Sequence, residues 1–134
     1  MATDADLLSA ALSIRSKAYA PYSNFLVGAA ILDEQGQIHL GVNVENAAYP
    51  VGACAEASAI SAMIAKGGRQ IKAIAVVGAG PVLCTPCGGC RQRIREFANP
   101  DTPVLVGDES GLKERFTLDQ LLPASFGPDN LESK

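Results

Sequence analysis

The pattern that most constrains how this chain can fold is Cys54-Ala55-Glu56 combined, further along, with Pro86-Cys87-Gly88-Gly89-Cys90. Cys87-x-x-Cys90 lets a turn opening into a helix direct two sulfurs at one ion, and Cys54 offers a third. A fold that serves these residues must bring two distant segments to one point. Three thiols and a carboxylate fit a catalytic zinc site, which leaves its fourth position to water; a structural site closes that position with a fourth protein ligand. Glu56 is placed to reach the water without binding the metal. Ala53 to Lys66 reads as a strong helix, Ala-rich, with Ile60, Met63 and Ile64 inward and Gly67-Gly68 as its stop. Gly88 to Phe97 reads as another. Both N-termini then point at the metal, and their partial positive charge favours thiolate over thiol.

The remaining cysteine keeps other readings open. Cys84, Cys87 and Cys90 have the spacing of an iron–sulfur run, and with Cys54 they could form a closed four-thiolate zinc site. Against these stand the helical setting of Cys54 and the absence of any role for Glu56 in a closed site. Cys84 also falls near the end of an apolar strand, where a free Cys packs as a small hydrophobe. Cys84 is therefore read as structural, with Cys54, Cys87 and Cys90 as the zinc ligands.

The rest of the chain supplies the frame. Residues 4–19 carry a helical period through Leu8, Leu12, Arg15 and Tyr19, with Thr3 or Asp4 as cap and Ala20-Pro21 as the end. Phe25 to Leu32 is a strand, Asp33-Glu34-Gln35-Gly36 a hairpin turn, and Ile38 to Val44 the returning strand. The single histidine, His39, has no second His or Cys beside it and reads as a solvent-facing strand residue. Ile71 to Val77, apolar throughout, is a central strand covered on both faces. Pro103 to Val106 is a short strand, and Thr117 to Leu122 a helical turn before Pro123. The tail after Gly127 is polar and expected to be loose. This order gives one α/β domain over residues 1–134, a sandwich with a mixed sheet.

Composition narrows the function classes. The 134 residues suffice for one buried core, and 48% hydrophobic residues with only 5% aromatics predict a core of Ala, Val, Ile and Leu. A net charge of -3 offers no basic field to nucleic acid, and the chain lacks the aromatic and basic tracts used to bind single strands. No apolar run approaches the ~20 residues of a membrane helix, and the N-terminus lacks a signal peptide's regions, so a cytoplasmic protein with reduced cysteines is expected.

Tyr22-Ser23-Asn24-Phe25, Val27-Gly28-Ala29-Ala30, Gly41-Val42-Asn43-Val44-Glu45-Asn46-Ala47 and Cys90-Arg91-Gln92, with the cysteine motif, resemble the small cytidine deaminases of nucleoside salvage. The resemblance runs from about residue 6 to Phe126. It implies a three-layer α-β-α sandwich with a mixed five-stranded sheet, a Zn2+ cofactor, and homotetramers with active sites at subunit contacts. It implies that Asn43 and Glu45 hold the ribose hydroxyls, for which an amide and a carboxylate are suited. Phe25 either packs on the nucleoside or belongs to the core, Ala55 is a further candidate for substrate contact, and the resemblance implies that Phe126 stacks on the base in a neighbouring subunit. Glu56 would move protons from water to ring nitrogen 3 and then to the departing amine. A blasticidin S-type deaminase shares nearly all these motifs, and a catalytically inactive metal-binding module is the non-enzymatic alternative. One position departs from the pattern: Ala57 stands where the family usually has Arg. That Arg is understood to offset thiolate charge, so a guanidinium from Arg91, or extra backbone N–H groups, is expected against the sulfurs instead.

Overall fold

The computed structural model describes residues 2–131. Helix α1 spans Asp4–Arg15. The Thr3 hydroxyl accepts from the Asp6 N–H while the Asp6 carboxylate accepts from the Thr3 N–H, so a capping box fixes its start. The helix stops at Arg15, short of the expected Tyr19, which instead bridges Val44.

Five strands follow: β1 Gly28–Asp33, β2 Ile38–Val42, β3 Ile71–Val77, β4 Pro103–Asp108 and β5 Gly111–Thr117. Helix α2 (Ala55–Ala65) precedes β3, α3 (Gly88–Phe97) joins β3 to β4, and the short α4 (Leu118–Leu121) follows β5. The sheet order is β2-β1-β3-β4-β5, with β3 and β4 parallel and every other pair antiparallel. Alternation along β1 divides the core. Ala29 and Ile31 face Ala59, Ile60 and Met63 of α2 and Ile94 of α3. Ala30 faces Leu7, Leu8 and Ala11 of α1, together with Ala73, Ala75 and Leu105. Helices on both faces make three layers, as expected. β5 was not legible as a strand, because Leu112, Lys113, Glu114 and Arg115 are all exposed and no buried face marks it.

Two glycines set how closely helices approach the sheet. A Cβ on Gly41 of β2 would run into the Ala55 carbonyl and the Ala59 nitrogen of α2, and one on Gly28 of β1 would strike the Ala11 carbonyl of α1. The backbones are in direct contact there, which only glycine permits.

His39 corrects the sequence reading. It pairs with Ile31 across the hairpin and is 6% exposed, not solvent-facing. Its Nε2 lies 2.7 Å from Oδ2 of Asp33, itself 2% exposed. The other carboxylate oxygen of Asp33 accepts the N–H groups of Gln35 and Gln37 at 2.8 and 2.9 Å. A buried strand residue with a polar ring needs such a partner, and the turn supplies it.

Candidate active site

Cys54 is the N-cap residue of α2 and Cys87 that of α3; neither side chain caps its own helix. At this position a side chain lies beside N–H groups that lack partners within the helix, so each sulfur is free to face a common centre. Cys90, in the first turn of α3, is fully buried, Cys54 half-buried and Cys87 exposed. The three sulfurs lie within 4.8 Å of one another, and among the described residues no other group of three metal-binding side chains converges.

The surroundings of the three sulfurs bear on whether a cation fits between them. Burial pushes the Cys54 and Cys90 thiols up, and the neighbouring charges of Glu56 and Cys87 push the same way. Cys87 is also opposed by burial, yet the N–H and thiol of Cys90 and the thiol of Cys54 hold it below its ordinary value. Three thiols that converge without room for three negative charges form a donor set short of positive charge. A divalent ion that prefers thiolates meets that need, and a tetrahedral zinc takes three of them with one position left over.

Cys84 is not part of the convergent group. It is half-buried, packs against the core beneath α2 and α3, and burial raises its thiol to about 11. A neutral thiol in that setting acts as an apolar side chain.

Glu56 lies on the first turn of α2 and is 5% exposed. Burial raises its carboxyl above the ordinary range, partly offset by hydrogen bonds from its own backbone N–H and the Cys90 thiol and by the Arg93 charge. A carboxyl so placed exchanges a proton nearer neutrality than a free one.

Asn43 and Glu45 both engage the segment that leads into β1. The Asn43 amide accepts the Val27 N–H at 2.9 Å and donates to the Phe25 carbonyl at 2.8 Å. The Glu45 carboxylate accepts the N–H groups of Tyr22 and Ser23 and the Ser23 hydroxyl, with the hydroxyl contributing most to a lowered pKa. Glu45 also opens onto a cavity of about 340 Å3 shared with Tyr22, Ser23, Asn46, Tyr49 and Gly52. Phe25 is part-exposed beside Gly78 and Cys84. Ala55 is buried in the core, and its carbonyl lies against Gly41 of β2.

The C-terminal segment is strapped to α3. Gln92 donates to the Phe126 carbonyl at 2.8 Å, Arg95 to the Ser125 hydroxyl at 3.0 Å, and Arg91 to the Leu121 carbonyl at 2.8 Å. Phe126 itself is 57% exposed. Arg91 also donates to the Pro86 carbonyl and the Thr85 hydroxyl. It therefore anchors the cysteine loop and does not reach the sulfurs, contrary to expectation. The guanidinium that does is Arg93, whose Nη1 is 3.6 Å from Cys90 Sγ. Sequence reasoning missed it, although its spacing of three from Cys90 is the spacing that places two residues on one helix face.

The family described as "Cytidine and deoxycytidylate deaminase zinc-binding region" matches residues 1–106. The chain is 44% identical over 127 residues to cytidine deaminase of Sporosarcina psychrophila, covering 93% of this chain and 92% of that protein. It is 39% identical over 125 residues to cytidine deaminase of Halalkalibacterium halodurans, covering 93% and 95%. A crystal structure of cytidine deaminase from Burkholderia pseudomallei superposes with a TM-score of 0.87 at 42% identity, covering 93% of this chain and all of that one.

Proposed function

This chain belongs to the cytidine and deoxycytidylate deaminase zinc-binding family, and on that premise we propose that it hydrolyses cytidine and deoxycytidine to uridine and deoxyuridine with release of ammonia. The observation that carries this reading is a buried carboxyl, Glu56, beside three sulfurs that converge within 4.8 Å. Cys54, Cys87 and Cys90 hold the zinc. When bound, zinc supplies the Lewis acidity that makes water a competent nucleophile near neutral pH. Glu56 accepts the proton of the attacking water and delivers it to ring nitrogen 3, which makes carbon 4 more electrophilic. It then carries the second proton to the amine as the C–N bond breaks. Its raised pKa suits both tasks, since a group that must take and give protons works best near the ambient pH.

Asn43 and Glu45 receive the ribose hydroxyls. Glu45 is already ionised and oriented by the Tyr22–Ser23 turn, and one of its oxygens accepts only the Ser23 hydroxyl, leaving it room for a diol. Phe25 lines the pocket, and Ala55 contributes a backbone group of the first helical turn. Several large apolar side chains are exposed: Tyr49 at 74%, Val51 at 66%, Val82 at 79% and Phe126 at 57%. Such surface is expected of an interface, and it supports a homotetramer in which Phe126 completes a neighbouring copy's site. Among the described residues no helix is long and apolar enough to cross a membrane; a cytoplasmic role in pyrimidine salvage accords with four free cysteines.

The test is Glu56→Ala. The variant should keep one zinc per chain and its fold, while turnover of cytidine falls by about a thousandfold or more, because both proton transfers are lost. Activity within tenfold of the parent, only ~1.4 kcal/mol of barrier, would refute the role given to Glu56.

A further inference from the structure

Three thiolates around a divalent ion leave one unit of surplus negative charge in a partly buried site, and such charge needs a nearby cation or donor. On a helix, a side chain three residues on lies over the same face. Cys54 is followed at that spacing by Ala57, whose methyl group can donate nothing. Cys90 is followed at that spacing by Arg93. Its Nη1 stands 3.6 Å from Cys90 Sγ and lies close over Gly89, where a Cβ would sit 3.2 Å from it. Among the described residues no carboxylate forms an ion pair with Arg93, so its charge is directed at the cysteine cluster.

We propose that Arg93 is the positioning residue of the metal centre: its guanidinium neutralises the surplus charge of the three-thiolate set through Cys90, from α3, where position 57 of α2 supplies no donor. The inference rests on Cys54, Cys87 and Cys90 being the zinc ligands. Zinc uptake displaces thiol protons, so the loaded site is more negative than the empty one, and an adjacent cation favours the loaded state. A donor on the sulfur also draws electron density away from it, leaving the metal more acidic toward water.

The experiment compares the parent, Arg93→Gln, Arg93→Lys and the double variant Arg93→Gln/Ala57→Arg. Two readouts do not depend on turnover: zinc transfer to a chelator, and the thiolate-to-metal charge-transfer bands of the cobalt-substituted protein. Arg93→Gln should release zinc at least tenfold faster and move the cobalt bands to lower energy, because the undonated sulfur is the better electron donor. Arg93→Lys, which keeps a charge without the planar fork, should fall between. The double variant should return toward the parent, since an Arg at position 57, in the first turn of α2 that Cys54 caps, restores a guanidinium near the cysteine cluster. A merely structural Arg93 would change melting temperature without moving the bands. Bands and zinc release unchanged in Arg93→Gln would overturn the proposal. A parent cobalt protein without intense thiolate bands would overturn the ligand assignment beneath it as well, which separates the two failures.

Discussion

Removing the carboxylate of Asp33 should unfold this protein sooner without touching its chemistry. Alanine at position 33 deletes three acceptor contacts at once, to the His39 ring and to the N–H groups of Gln35 and Gln37. Gln35 and Gln37 are exposed, so water can replace the carboxylate there, and each loss costs about 0.5 kcal/mol. The His39 side chain is 5% exposed and has no such recourse; a buried polar group left without its partner costs about 1–3 kcal/mol. The sum is about 2–4 kcal/mol, a fall in Tm of about 10 °C for a domain of this size. Asp33→Asn keeps one acceptor oxygen for the turn and should lose about half as much. Turnover well below the transition should be unchanged, because Asp33 pairs with Ile71 at the start of β3 whereas the cysteine loop follows that strand's other end. The pH dependence has a definite sign. Hydrogen bonds from His39, Gln37 and Gln35 outweigh the opposing effect of burial and hold the Asp33 carboxyl below its ordinary range. Its stabilisation is therefore present above the unfolded value, near 4, and is lost as pH falls through the folded one, so the gap between parent and Asp33→Ala should close in acid. Thermal unfolding followed by circular dichroism over a pH series reads both effects. A Tm within about 2 °C of the parent at neutral pH, or strict additivity of Asp33→Ala with His39→Leu, would show that the pair contributes nothing.

Glu45→Ala should lower turnover of cytidine at least a hundredfold, far more than the loss of its three exposed turn contacts lowers Tm, and the parent should act very poorly on free cytosine; equal rates on base and nucleoside would remove the sugar-binding role. Phe126→Ala should reduce activity while leaving zinc content unchanged, and sedimentation should give a tetramer for the parent; a fully active parent monomer would exclude a site completed by a neighbour. Glu56→Gln should raise the Tm of the metal-free protein at neutral pH, because a carboxyl whose pKa is raised on folding loses stability as pH climbs from its unfolded toward its folded value. An amide of the same shape escapes that cost, and an unchanged or lower Tm would mean that burial does not act on this group as described.

Features governed by local chemistry were legible in the sequence. The α1 cap, the hairpin turn at Asp33–Gly36, the apolar β3 and the cysteine-bearing starts of α2 and α3 all follow from near neighbours. What escaped depends on partners remote in sequence. His39 looks like an outward strand residue until the hairpin register brings Asp33 beside it and the packed layers cover both. β5 is a strand because β4 offers it an edge, not because Leu112 to Arg115 carry a pattern. Arg91 was expected at the sulfurs for its adjacency to Cys90, yet adjacent helical residues point about 100° apart, and Arg93 was the geometrically sound choice.

The contact between Gly41 and α2 bears on how this site tolerates change. Most helices sit on a sheet through side chains, so every altered core volume shifts the helix and whatever it carries. Here the Ala55 carbonyl and the Ala59 nitrogen rest against the main chain of β2. Cys54 and Glu56 flank that point of contact. The position of the catalytic end of α2 is thus referenced to the backbone of the sheet, much as a machined part is located by a hard stop. Substitutions further along the same helix, at Ile60 or Met63, should change stability by ordinary packing amounts of about 1–3 kcal/mol while the sulfurs and carboxyl keep their places. The core can be retuned for temperature with little effect on the chemistry, and the residue that cannot be exchanged is the one with no side chain.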